Sequence, residues 1–263
     1  MRLKHRVSLG GVQLDSLDDR ILVLGVHESE PKSTLSAVSV AHGGQRVTTN
    51  RRDSIDVTVR FGLRITMRDM QARSELAEKI NGWAAAGGWL EVNYKPNRRI
   101  YVTCVKLPDI GDQYAWNSEY EIAFRAFEVP YWQASEATTL KVTRTKSAEK
   151  SIEVEGTART VFGLEFENTS GKEISTMSVS TKASSMAFKG LSMAAGELLS
   201  IDHRANGVLR MRIKNTEGRW RSIMAKRTED SSDDLYIDPG TQQITFAAGR
   251  VGTLTVTCFG RYL

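Results

Sequence analysis

Cysteine is nearly absent from this 263-residue chain, which has only Cys104 and Cys258, one in each half. Each sits in an alternating apolar stretch with no second thiol or histidine at metal-ligand spacing. That excludes a disulfide framework and a zinc site, and predicts buried, inert thiols. Histidine is scarce too, and His5, His27, His42 and His203 are scattered. No apolar run approaches the roughly 18 residues of a membrane-spanning helix, and residues 1–9 hold no apolar core of signal-peptide length. The expectation is a chain made and folded in a cytoplasm, without membrane insertion. Charge of one sign is also lacking. The formal charge is +5, with 18 basic and 16 acidic residues over 1–133 and 18 and 15 over 134–263, so the even spread argues against a nucleic-acid patch.

Catalytic motifs are missing as well. There is no G-x-S-x-G elbow, no Walker loop and no G-x-G-x-x-G after a strand; the glycine pairs at 10–11, 43–44 and 87–88 suit turns and helix ends. Asp18 with Asp19, Glu28 with Glu30, and Asp230 with Asp233 and Asp234 all lie in hydrophilic, turn-like surroundings. A general acid needs desolvation to raise its pKa, and these contexts offer none. The loop at 229–234 lacks the ligand spacing and glycine of a helix-loop-helix calcium site. His203, between Asp202 and Arg204, reads as a solvated turn histidine. The expectation is a non-enzyme with no cofactor and no metal.

What is present is mostly strand. Ile55, Val57, Val59, Phe61, Leu63 and Ile65 alternate with polar residues or glycine, which predicts one long, half-buried strand. A shorter strand is expected at 21–27, and residues 47–49 read as a hairpin partner before the turn at 50–53. Residues 28–45 show no periodicity and read as a long loop or extended arm. Thr66 and Asp69 form a capping-box-like pair, followed by Met70, Leu76, Ala77, Ile80, Trp83 and Ala84 at helical spacing. That helix should end at Gly87 and Gly88, with Arg68, Arg73, Glu75, Glu78 and Lys79 on its wet side. Strands follow at 89–94, 100–105 and 120–129. Pro130 then removes a backbone donor and ends the last of them, which marks a domain boundary. Residues 1–133 thus read as an α+β domain with a mostly antiparallel sheet and one helix.

Residues 134–263 carry nine short strand signals, at 140–143, 151–154, 161–168, 176–181, 197–202, 208–213, 234–237, 242–246 and 253–259. Their spacing predicts a β-sandwich and a mostly β chain. Arg204, Arg210, Arg212, Arg219, Arg221 and Arg227 surround Trp220. Alternation sets Arg210 and Arg212 opposite Leu209, Met211 and Ile213, which describes an outward charged face. Residues 214–233 read as a protruding loop, with Trp220 folded back or offered to a partner.

Three parts of the chain carry a family resemblance: the strand pair of 47–66 with the helix of 66–86; Gly88-Trp89-Leu90 through Arg99-Ile100-Tyr101 to Phe124, Phe127, Pro130, Tyr131 and Trp132; and Pro239-Gly240, Ile244 and Phe246 with the closing Arg261-Tyr262-Leu263. Their order and spacing resemble the distal tail proteins of long, non-contractile phage tails. The resemblance implies a homo-hexameric ring made by the first domain and stacked below the tail tube, with a lumen that passes DNA without binding it specifically. It implies a galectin-like second domain, and as partners the tail tube protein, a tail-associated tip protein, the tape measure and receptor-binding proteins. The expected location is the virion, at the tail tip, after assembly in the bacterial host cytoplasm. By this analogy the ring interface is expected in residues 28–52, including Arg51 and Arg52, and on the long strand at Ile55, Val57 and Val59. Phe127, Pro130, Tyr131 and Trp132 are expected between the domains, and Trp220 is a candidate partner contact. Two other readings stand beside this one: a carbohydrate-binding adhesin with an accessory domain, and a basic nucleic-acid-binding protein. No sugar platform of closely placed aromatic and polar groups is visible in the sequence, since Trp220 is the only tryptophan beyond residue 132.

Overall fold

The structure, a computed structural model, describes residues 5–29, 33–39, 45–64, 70–110 and 119–263. The chain divides into two compact units, residues 1–132 and 133–263. Both are built from antiparallel ladders, and the described residues contain one α-helix.

The first unit comprises β1 (Val7–Leu9), β2 (Val12–Gln13), β3 (Ile21–Glu28), β4 (Ser33–Ser39), β5 (Gln45–Arg52), β6 (Ile55–Leu63), α1 (Met70–Ala85), β7 (Gly88–Val92), β8 (Arg98–Lys106) and β9 (Glu119–Ala126). Its main sheet runs β2-β1-β7-β8-β9-β6-β3. The long strand predicted from alternation is β6, and it pairs along both sides, with β3 and with β9. Ile55, Val57, Val59 and Phe61 all face the core and are fully buried. Leu76, Ile80, Trp83 and Ala84 of α1 are buried as well, and the Trp83 indole meets Phe124 edge-on at 6.0 Å. Arg73, expected on the wet side of this helix, is instead buried. It precedes Leu76 and Ile80 by three and seven residues, so helical geometry puts it on their face. The helix stops where Gly87 takes a φ of +60, a conformation that favours glycine, and a Cβ there would stand 3.0 Å from the Val102 carbonyl oxygen. The expected cap at Thr66 and Asp69 lies outside the described residues.

Residues 28–45, expected as a loop or arm, contain a strand. β4 pairs with β5 in a two-stranded ribbon separate from the main sheet. Serine and alanine hid β4, whose Thr34, Ser36, Ala37, Val38 and Ser39 are all exposed, and an exposed strand needs no apolar alternation.

The second unit follows β10 (Trp132–Ala134), which spans the division. It contains β11 (Thr138–Val154), β12 (Thr160–Asn168), β13 (Ile174–Ser180), β14 (Ser185–Met193), β15 (Leu198–His203), β16 (Leu209–Lys214), β17 (Trp220–Ser222), β18 (Tyr236–Ile237), β19 (Gly240–Cys258) and β20 (Arg261–Tyr262). Four of the expected short strands are two long ones: 140–143 and 151–154 belong to β11, and 242–246 and 253–259 to β19. β19 changes partner along its length, pairing with β13 at 245–247 and with β12 at 252–258, while β11 follows its other side throughout. That exchange curls the sheet onto itself around one core, in which Phe162, Phe166, Phe188 and Phe246 are fully buried. Gly252 sits at the bend, where a Cβ would collide with the Phe166 ring and the Glu167 carbonyl. The expected loop of 214–233 is largely structured: β17 pairs with β16, and Ile223 is buried in the core.

Candidate functional site

Asp18 and His203, two of the groups weighed for chemistry, are tied up in ion pairs. Asp18 accepts two hydrogen bonds from the Arg20 side chain, at 2.7 and 2.8 Å, and these hold its carboxyl far below the usual range, the reverse of a general acid. His203 is not a solvated turn residue. It ends β15, is mostly buried, and its Nε2 lies 2.8 Å from Asp234 Oδ1. Asp233 of the neighbouring acidic loop is fully exposed. His27 is exposed, His5 meets Tyr94 edge-on, and His42 lies outside the described residues. Burial pushes the Cys258 thiol up to about 11, and burial also raises that of the part-exposed Cys104. Among the described residues no group of three or more His, Cys, Asp or Glu could hold a metal, and no helix is long and apolar enough to cross a membrane.

Candidate binding surfaces are of three kinds. The first is the β4–β5 ribbon, whose Val38 is more than half exposed. Arg51 and Arg52 occupy its second strand, opposite Thr34 and Ser33. Its root is pinned, because Asp56 and Ser29 exchange two hydrogen bonds of 2.9 Å. One residue earlier, Glu28 accepts from Tyr94 Oη at 2.9 Å, from Lys95 Nζ at 2.6 Å and from Trp132 Nε1 at 2.8 Å, while Lys95 lies 4.5 Å over the Trp132 ring. Burial and the Glu28 carboxylate together raise the Tyr94 phenol far above its ordinary value. Sequence reasoning weighed Glu28 only beside Glu30, and spacing gave no sign of partners 66 to 104 residues away.

The second is the outward face of β6 and β9. Ile55, Val57 and Val59, expected to meet a neighbouring subunit, point into the unit's own core. Turning them outward would forfeit about 1.5–3 kcal/mol each. The other face of β6 carries Asp56, Thr58 and Arg60, where Arg125 pairs with Asp56 and Arg60 with Glu119 and Glu121. Of the four residues expected at the junction, Trp132 and Pro130 are buried, Tyr131 is partly exposed and Phe127 is 49 % exposed, with Arg125 5.6 Å over its ring.

The third is the outward face of β15, β16 and β17. Asp202 accepts from Arg210 at 2.5 Å and from Arg212 at 2.8 Å, and the Arg212 guanidinium lies 4.0 Å over the Trp220 ring. Burial raises the Asp202 carboxyl, but the two arginines outweigh burial and leave it below the usual range.

The whole chain superposes on known architectures. The SPP1 Dit (gp 19.1) protein, described as a paradigm of the hub adsorption apparatus in phages infecting Gram-positive hosts, matches with a TM-score of 0.68 at 15% identity, over 98% of this chain and 99% of that one. The chain has the Dit fold. A component of the phage p2 baseplate in its activated conformation with Sr matches with a TM-score of 0.51 at 9% identity, over 97% of each chain. No protein-family model and no curated protein matches the chain. At such identities the Dit fold is shared while few individual residues are, which leaves partner contacts to this chain's own surfaces.

Proposed function

We propose that the protein is a structural component of a phage tail, the hub ring at the distal end of a long non-contractile tail, joining tail tube to tip. The observation that carries this reading is the match to the SPP1 Dit protein over nearly the full length of both chains, with neither partner holding a large unmatched part. The β4–β5 ribbon supports it. A lone two-stranded hairpin is marginal in water, so one held out on a pinned root gains most from packing against another copy. In this reading six copies close a ring through head-to-tail contacts between the ribbon, Arg51 and Arg52 included, and the polar face of β6 on the next copy. DNA passes the lumen without specific binding. Phe127, Pro130, Tyr131 and Trp132 set where the chain leaves the ring-forming unit, and the galectin-like second unit receives the tip, tape-measure or receptor-binding proteins. The protein acts in the virion and is not an enzyme.

Negative-stain electron microscopy with light scattering tests this directly. The expected result is a six-fold ring with a central opening; a monomer at every concentration that also fails to join tail tube protein sinks the hub reading.

A further inference from the structure

Of the eight asparagines in the chain, only Asn81 and Asn206 precede a glycine. The fold sets the two in opposite surroundings. Asn206 lies in the five-residue connection, 204–208, that follows the last rung of the β15–β16 pair, His203 opposite Leu209. None of its residues is buried, and Arg204, Ala205 and Val208 are exposed. The Gly207 N–H donates to the Arg204 carbonyl at 2.8 Å and the Arg204 N–H to the Val208 carbonyl at 3.0 Å, which closes the turn. Gly207 takes a φ of +79, a conformation that favours glycine. The Asn206 side chain folds forward over it. Its Oδ1 accepts the Val208 N–H at 3.4 Å, an Asx turn that brings Cγ beside the Gly207 amide nitrogen. Asn81 and Gly82 instead lie inside α1. Helical dihedrals hold the Gly82 N–H in the ladder back to the preceding turn and away from the Asn81 side chain. Freeing it means unwinding a turn whose Ile80, Trp83 and Ala84 are buried.

We propose that Asn206 is a site of spontaneous deamidation and that conversion there loosens the end of the β15–β16 pair. The Gly207 amide gives its proton to water and its nitrogen forms a bond to Asn206 Cγ; the Cγ–Nδ2 bond breaks, and the side-chain amide leaves as ammonia with a proton returned from water. The product is a five-membered cyclic imide. One water molecule then opens it. Cleavage at Cγ leaves aspartate, and cleavage at the main-chain carbonyl leaves isoaspartate, whose backbone runs through Cβ. Glycine permits the attack because no Cβ shields its nitrogen. The Val208 N–H already meets Oδ1, the atom on which negative charge develops as the nitrogen adds. The bond from Gly207 to Arg204 must open first, and a connection without buried side chains opens at little cost. Either product removes one unit from the formal charge of +5. Isoaspartate also lengthens the connection by one backbone atom, so the two closing hydrogen bonds and the His203–Leu209 rung cannot all be kept. The inference does not rest on the hub reading.

The test incubates the full chain in its native state at pH 8, with samples taken over weeks for peptide mapping by mass spectrometry and for ion exchange. Residue 206 should turn acidic at least about tenfold faster than residue 81, a barrier lower by about 1.4 kcal/mol. In urea the two sites should convert at similar rates, because the fold alone separates them. Asn206→Gln should remove the acidic species that grows in ion exchange. Gly207→Ala, verified as folded by circular dichroism, should slow its growth. In the aged protein, the amides of residues 203–209 should exchange faster with deuterium while those of β12 and β19 keep their rates. The proposal is overturned if residue 206 is still an amide at the end of the incubation, if the two sites convert equally in the native protein, or if their native difference persists unchanged in urea. Exchange at 203–209 that stays the same after conversion overturns the loosening.

Discussion

Glu28 takes three hydrogen bonds on one carboxylate, and its partners come from the β7–β8 turn and from the last residue of the first unit. Trp132→Ala removes a fully buried indole together with one of these donors, so the first unit should lose about 3–5 kcal/mol in denaturant titrations. Glu28→Gln keeps the shape but loses the charge-assisted bond to Lys95, for a smaller loss of about 1–3 kcal/mol. If both variants unfold at the parent midpoint, the cluster is ornamental. Cys258 makes a separate prediction. Its folded pKa is raised, so the neutral thiol favours the fold, and this contribution is complete below the unfolded value of about 8.5 and is lost as pH rises towards about 11. Native protein at pH 8 should therefore label at Cys258 only as fast as it unfolds, as followed by mass spectrometry. Its burial was legible in the sequence because alternation announces it. The Glu28 cluster was not, because its members share no local pattern.

Among the elements, β6 was plain from six alternating positions, yet its place between two partners was not, since alternation reports one buried face and says nothing of neighbours. The same blindness put Ile55, Val57 and Val59 at a subunit contact when they belong to the core. Trp220 was singled out as an exposed aromatic, but Arg212 is eight residues away in sequence and meets it only through the β16–β17 ladder. Of the β4–β5 ribbon only residues 47–49 read as strand, with β6 as the expected hairpin partner, whereas β5 pairs with β4. Because the ribbon forms no ladder with the main sheet, replacing residues 33–52 by a short glycine-serine linker should shift the thermal midpoint of the protein little. The same replacement should abolish ring formation in light scattering. A ribbon-less chain that still forms six-fold rings removes the ribbon from the interface.

At the scale of the whole molecule, the most telling element is β19. It pairs with β11 from Thr138 against Cys258 to Val154 against Gly240, with register shifts on either side of Thr145, and on its other side it is shared between β12 and β13. The ladder that curls the second unit thus joins residues 86 to 120 positions apart. Contacts so distant in sequence slow folding, and all-β units dominated by them fold in milliseconds to seconds. During synthesis β11 to β18 emerge without the strand that joins them, so no stable partial second unit precedes β19. A chain cut before Gly240 should show no protected amides in hydrogen exchange beyond residue 133, whatever its first unit does. If the protein is the multi-copy hub proposed above, this acts as quality control: a chain interrupted before β19 stays open to proteases rather than entering an assembly as a faulty part.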